Sequence, residues 1–167
     1  MYSGKVRIAG AADEEEIMAM CRRLHSENGM FPMDDEKVRS ILQKAFNRDG
    51  GILGVIGNPG NIEAAIYMMI STFWYSNETH LEELFSYVLP ENRKSTNALD
   101  LVEFAKWCSD YSKFKLVIGI QSNDQTMAKV RLYRRRLGEP IGAFFFHIPE
   151  QSGTVNGDSE SGEVRAA

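Results

Sequence analysis

Between Tyr87 and Trp107 the chain changes period at a proline. Tyr87-Val88-Leu89 closes an apolar run, Pro90 ends it, and the short segment through Ala98 carries Arg93, Lys94, Ser95, Thr96 and Asn97. From Leu99 to Trp107 a helical pattern runs without a breaker. That order predicts strand, turn and helix. The first amides of a helix have no partner within it, and the helix dipole leaves partial positive charge there, so such a turn suits phosphate groups. Another strand, Lys115 to Ile120, follows the helix and is nearly all apolar, as expected of a central strand covered on both faces. A helix between two strands predicts a right-handed βαβ unit with a parallel pair.

The chain before this unit reads as strand, two helices and a meander. Val6 to Ala9 is a short strand, and Asp13 with Glu16 resembles a capping box ahead of Ile17, Met20, Cys21 and Leu24 at helical spacing. Asn28-Gly29 stops that helix. Asp34 or Asp35 caps a second one, whose apolar face is Val38, Ile41, Leu42, Ala45 and Phe46. Ile52–Ile56 and Ile62–Tyr75 flank the turn Asn58-Pro59-Gly60-Asn61 as a hairpin, and Leu81–Leu89 adds a third antiparallel strand. After the βαβ unit, a helix carrying Met127, Val130, Tyr133 and Leu137 stops at Gly138, and Ile141–Ile148 is the last strand. From Glu150 the composition turns to Ser, Gly, Glu and Asp, which predicts a single domain over 1–149 and a disordered tail over 150–167.

With 167 residues the chain can bury one core without staples. No apolar run reaches the roughly 20 residues of a membrane helix, and Met1 to Lys5 lacks a signal peptide's apolar stretch, so a cytoplasmic protein with no membrane partner is expected. Cys21 and Cys108 fall on apolar helical positions and read as small hydrophobes, not a disulfide framework. No His or Cys spacing suggests a metal. The net charge of −4 argues against tight polyanion binding, although Lys129, Arg131, Arg134, Arg135 and Arg136 form a local basic cluster.

The order of elements, with two segments, resembles the GNAT superfamily of acyl-CoA-dependent N-acyltransferases over roughly Val6 to Ile148, and most closely a phage and bacterial branch of it. Val88-Leu89-Pro90, Arg93 and Ala98 match the family's strand-turn-helix motif, with Thr96 where the family usually has Gly. Leu132-Tyr133 through Gly138 looks like its second segment. The resemblance implies an α+β fold: a mixed, mostly antiparallel sheet of about six strands with one central parallel pair, flanked by four helices.

It also implies acetyl-CoA, or another short acyl-CoA, as the acyl donor. Cofactor contacts would come from Tyr87, Val88, Leu89, Arg93, Lys94, Ser95, Thr96, Asn97, Ala98 and Asn123, with the Val88 or Leu89 amide at the thioester oxygen. Tyr133 is implied as general acid toward the departing thiolate, though its helical spacing equally suits a core aromatic. Glu82 or Glu83 is implied as general base, and alternation along a strand lets only one of them face the cleft. His80 and His25 are the alternatives. Met30, Phe31, Trp74 and Tyr75 are implied at the acceptor, a small-molecule or macromolecular amine. An amine on a nucleic-acid base is a further acceptor class. A CoA-binding or protein-interaction module without catalysis is the competing class. The run Phe144-Phe145-Phe146 needs cover on both faces, which suggests a homodimer.

Overall fold

The computed structural model describes residues 2–122, 125–145, 147 and 149. Its elements are β1 (Arg7–Ile8), α1 (Glu14–Asn28), α2 (Asp35–Phe46), β2 (Gly51–Asn58), β3 (Asn61–Thr72), β4 (Thr79–Val88), α3 (Asn97–Ser112), β5 (Lys115–Val117) and α4 (Thr126–Leu137). The strands form one sheet in the order β1-β2-β3-β4-β5. All neighbours are antiparallel except β4 with β5. This is the mixed α+β architecture expected, with the hairpin, the meander and the parallel pair in place.

Two expectations shift. The strand expected over Lys115–Ile120 pairs only through Val117, where Glu82 is its last partner on β4, and it lies at the end of the described sheet instead of its centre. Farther along β4 the contact comes from a helix side chain: Lys129 Nζ of α4 donates to the Ser86 carbonyl at 3.2 Å. The strand expected over Ile141–Ile148 is not one in its described part. Ile141, Phe144 and Phe145 are 99%, 92% and 97% exposed, because no layer of the described chain covers them. The described sheet therefore has five strands. Asn123, Phe146, Ile148 and the expected tail over 150–167 lie outside the described residues.

The sheet is covered on both faces. Along β3, Ala65 and Tyr67 join Ile17, Met18 and Leu42 under α1 and α2, while Ala64, Ile66 and Met68 join Leu101, Phe104 and Ala105 under α3. That double burial explains why β3 reads as a continuous apolar run. At Gly54 of β2 an added Cβ would stand 2.6 Å from the Phe104 ring and 2.7 Å from Val6, so α3 packs at a distance only glycine permits.

Helix α1 does not begin with the expected capping box. Asp13 instead holds the Arg7 guanidinium through both oxygens, at 2.7 and 2.8 Å, and accepts the Gly10 amide at 2.9 Å. Glu16 reaches across to the β2–β3 turn and accepts the Gly60 amide at 2.8 Å. Long-range partners outcompete the local cap. Helix α2 does take its cap from Asp34, which accepts the Lys37 amide at 3.0 Å. Cys21 and Cys108 are buried, and burial pushes their thiols up to about 11 and about 12, so neither is a nucleophile near neutral pH. No described helix is long and apolar enough to cross a membrane.

Candidate active site

Register places the first functional side chains. Tyr67 pairs with Phe85 and Met68 with Glu83, so Leu84 is an extra residue, a β-bulge in β4. Met68 and Ile66 belong to the α3 face, which puts their partners Glu83 and Ser86 on that face too. Glu82 pairs with Met69, which packs with the α1 and α2 core, and so lies on the opposite face. Of the two carboxylates expected near the cleft, only Glu83 lies on the face that carries Ser86, where its carboxyl is buried.

Glu83, Ser86, Lys129 and Tyr133 form one cluster. The Ser86 and Tyr133 hydroxyls are 3.1 Å apart, and Lys129 is bonded to the Ser86 carbonyl. Glu83 Oε2 is buried without a hydrogen-bond partner. Burial pushes the Glu83 carboxyl up to about 7, against the opposing pull of Ser86, Lys129 and Tyr133. Burial, with the neighbouring Glu83 charge, holds the Tyr133 phenol well above its ordinary value. Lys129 is lowered by burial, and Glu83 resists that shift. The cluster thus holds a carboxyl able to exchange a proton near neutrality beside a phenol that stays protonated, the pairing that general acid–base chemistry requires.

Ser86, Lys129 and Tyr133 of this cluster line a cleft of about 170 Å³ between β4 and α4, and Glu83 does not. Ser86, Tyr87 and Val88 line one wall, and Ala128, Leu132 and Tyr133 line the other. Arg93 and Ala98, before and at the start of α3, and Asn28, at the end of α1, line the cleft as well. Beyond Glu82, β4 has no strand partner on this side among the described residues, and its backbone is presented to the cleft. The Leu89 amide, one of two expected at a thioester oxygen, is taken: it donates to the Glu63 carbonyl at 2.9 Å. Alternation turns the Val88 amide to the other edge, toward the cleft. Leu89 packs against the α1 and α2 core.

The turn before α3 is a short 3-10 turn, Pro90–Asn92, followed by Arg93 to Thr96. Arg93 donates to the Val88 carbonyl at 3.3 Å, pairs with Glu27 of α1, and lies 5.5 Å from the centre of the Tyr87 ring. Glu27 also accepts the Tyr87 hydroxyl. Ser95 Oγ donates to the Asn92 carbonyl at 2.6 Å and accepts the Asn97 amide. Asn97 is buried and donates to Glu63 at 2.9 Å. Thr96 Oγ1 donates to Asp100 at 2.8 Å and accepts from Lys5 Nζ at 2.9 Å. The φ of Thr96 is −84°, so a position where the family usually has Gly demands no left-handed backbone here. Ser95 and Asn97 therefore build the turn from within. Lys94 and the opening amides of α3 at Ala98 and Leu99 remain to meet a phosphate, beside an Arg93 already paired with Glu27. A mostly apolar slot leading from a helix start to a carboxyl–phenol pair fits a long donor with phosphates at one end and a thioester at the other.

Met30, Phe31, Trp74 and Tyr75, expected at the acceptor, are 44%, 68%, 95% and 68% exposed and do not line this cleft. Trp74 meets Tyr75 edge to face, and Phe73 stacks on both Tyr75 and the His80 ring. His80 is thus buried in an aromatic stack with Nδ1 unpartnered. His25 bonds the Phe31 carbonyl at 2.7 Å and fixes the loop after α1. Sequence reasoning missed Ser86, Glu27 and Asn28. No local pattern marks them, since each enters the site through a contact made across the fold.

No protein-family model matches the sequence, and no curated protein matches it. Solved structures do. A predicted acetyltransferase with acetyl-CoA from Clostridium acetobutylicum superposes with a TM-score of 0.68 at 13% identity, over 86% of this chain and 94% of that one. The chain has the GNAT fold. A GNAT family acetyltransferase from Staphylococcus aureus gives a TM-score of 0.58 at 18% identity over 86% of this chain and 97% of the other. A ribosomal-protein-alanine N-acetyltransferase from Brucella melitensis gives 0.64 at 12% identity over 90% and 100%. At such identities the likeness to these structures is one of fold.

Proposed function

We propose that this chain is an acyl-CoA-dependent N-acyltransferase that moves an acetyl or other short acyl group to an amine by direct attack. The observation that carries the reading is the Ser86–Tyr133 hydroxyl pair in a cleft that also holds Arg93 and Ala98 at the start of α3, with the Glu83 carboxyl buried on the same face of β4. Acetyl-CoA supplies the activated thioester. Arg93, Lys94 and the first amides of α3 take the pyrophosphate. The Val88 amide donates to the thioester oxygen, where charge develops on attack. Glu83 takes the proton from the attacking amine, and Tyr133 gives one to the departing sulfur. Met30, Phe31, Trp74 and Tyr75 offer exposed apolar surface to the acceptor. Titration calorimetry with acetyl-CoA, followed by thiol release across a panel of amines, tests the reading. No heat at high micromolar cofactor sinks it.

One observation favours a second reading, a CoA-binding or protein-interaction module. Arg93, the basic residue of the turn, is already paired with Glu27. Intact acetyl-CoA binding with no thiol release from any amine, including peptides and nucleobases, would favour the module.

The exposed Ile141, Phe144 and Phe145 support pairing with a second copy. Sedimentation velocity of the full chain reads this directly, and a monomer at all concentrations removes it.

A further inference from the structure

Helix α4 sends an amine of its own into the cleft. Lys129 lines it together with Tyr133, one turn farther along the same face of α4. Its Nζ donates to the Ser86 carbonyl at 3.2 Å. Alternation puts that carbonyl and the Val88 amide on the same edge of β4, two residues apart, or about 7 Å along the strand. With the Val88 amide at the thioester oxygen, the acyl carbon lies within the sweep of the flexible four-carbon stem of Lys129. An amine held beside a thioester needs only an approach to about 3 to 3.5 Å, with no encounter from solution, to attack it. We propose that Lys129 is a self-acylation site, taking the acyl group of a bound short acyl-CoA onto its own Nζ. The inference rests on the acyltransferase reading for the donor and for the donor's place in the cleft.

The step balances. The Lys129 ammonium first gives one proton to water. The neutral nitrogen bonds to the acyl carbon, the carbon–sulfur bond breaks, and a second nitrogen proton ends on sulfur. The products are N-acyl Lys129, the free thiol of CoA and one proton in solvent. The surroundings favour the first event: burial, the largest influence, lowers Lys129 from its ordinary value, Glu83 opposes that shift, and Arg93 and Glu27 act more weakly in opposite directions. The new amide keeps one N–H for the Ser86 carbonyl, so acylation does not strip that carbonyl of its donor.

The full chain is incubated with acetyl-CoA and no other amine, and the modified lysines are located and timed by peptide mass mapping. Lys129 is expected to acquire one acetyl group at a rate at least about tenfold above the exposed Lys37 and Lys44, saturating with acetyl-CoA and independent of protein concentration. Lys129→Arg is expected to leave only the slow background at the exposed lysines. Labelling of Lys129 no faster than that of Lys37 and Lys44 overturns the proposal, and so does a rate that climbs with protein concentration, which marks transfer between molecules. Thiol release to added amines, measured alongside, separates the two readings. Release with Lys129 unmodified leaves the acyltransferase standing and removes self-acylation. An acetylated Lys129 without release to any amine supports self-acylation and removes transfer to an external acceptor. No binding of acetyl-CoA removes both.

Discussion

Glu83 and Ser86 present their side chains on one face of β4 although they stand three residues apart, and the unpaired Leu84 between them is the reason. Strict alternation would place them on opposite faces. The bulge brings a carboxyl and a hydroxyl to one face, where α4 adds a phenol. β-Bulges recur beside active sites because one inserted residue re-aims every side chain after it.

Glu83→Gln is therefore expected to lower kcat/KM by about a hundredfold or more, the usual weight of a general base. In the wild-type protein kcat/KM should rise with pH through a limb near 7, where Glu83 loses its proton, and that limb should vanish in the variant. Stability moves the other way. A carboxyl whose folded value is raised contributes fully below the unfolded value of about 4.3, and that contribution is lost as pH rises through the folded one. Thermal melts of the Gln variant should lose less stability than wild type between pH 5 and 8 by about 1 kcal/mol or more.

Tyr133→Phe keeps the ring in the core and removes only the hydroxyl. A drop in kcat of about tenfold or more, with an unchanged Kd for acetyl-CoA by calorimetry, is expected of a general acid. An unchanged rate would reduce Tyr133 to a packing residue.

Arg93 and Glu27 make opposite predictions at one contact. Arg93→Ala should weaken acetyl-CoA binding by about tenfold, the loss of a charge-assisted bond worth roughly 1.5 kcal/mol. Glu27→Gln should tighten it, because the pairing carboxylate competes with phosphate for the same guanidinium. Calorimetry on both variants distinguishes this from a general loss of structure, which would weaken both.

Asp13 stabilises the fold away from the site. Its carboxyl is 2% exposed, and the Arg7 guanidinium, with the Gly10 amide, holds it below the ordinary carboxylate range. Its contribution is thus present above the unfolded value of about 3.9 and is lost as pH falls through the lower folded one. Asp13→Asn should cost about 2 kcal/mol at neutral pH by chemical denaturation, and the difference from wild type should shrink in acid.

Much of this molecule was legible because local signals were strong. The Pro90 break, the Asn58-Pro59-Gly60-Asn61 turn and the Gly138 stop are punctuation set by backbone sterics, so they hold wherever the chain goes. Asp13 and Glu16 misled because a capping signal competes with any better partner, and Arg7 and the β2–β3 turn were better partners. Phe144 and Phe145 misled because an apolar alternation says a segment must be covered without saying by what.

The candidate site divides along the same line. By itself the sequence determined that a strand closes before Pro90, that a helix is under way by Leu99, and that Tyr133 rides on the last helix, since each depends on residues within one turn or strand. Only the tertiary structure decided that Glu83 and not Glu82 shares the face of Ser86, that Ser86 stands beside Tyr133, and that Arg93 is held by Glu27. The physical reason is register. A one-residue bulge is invisible to periodicity, yet it reverses which side chains face the cleft, and a contact between residues dozens of positions apart has no local signature at all.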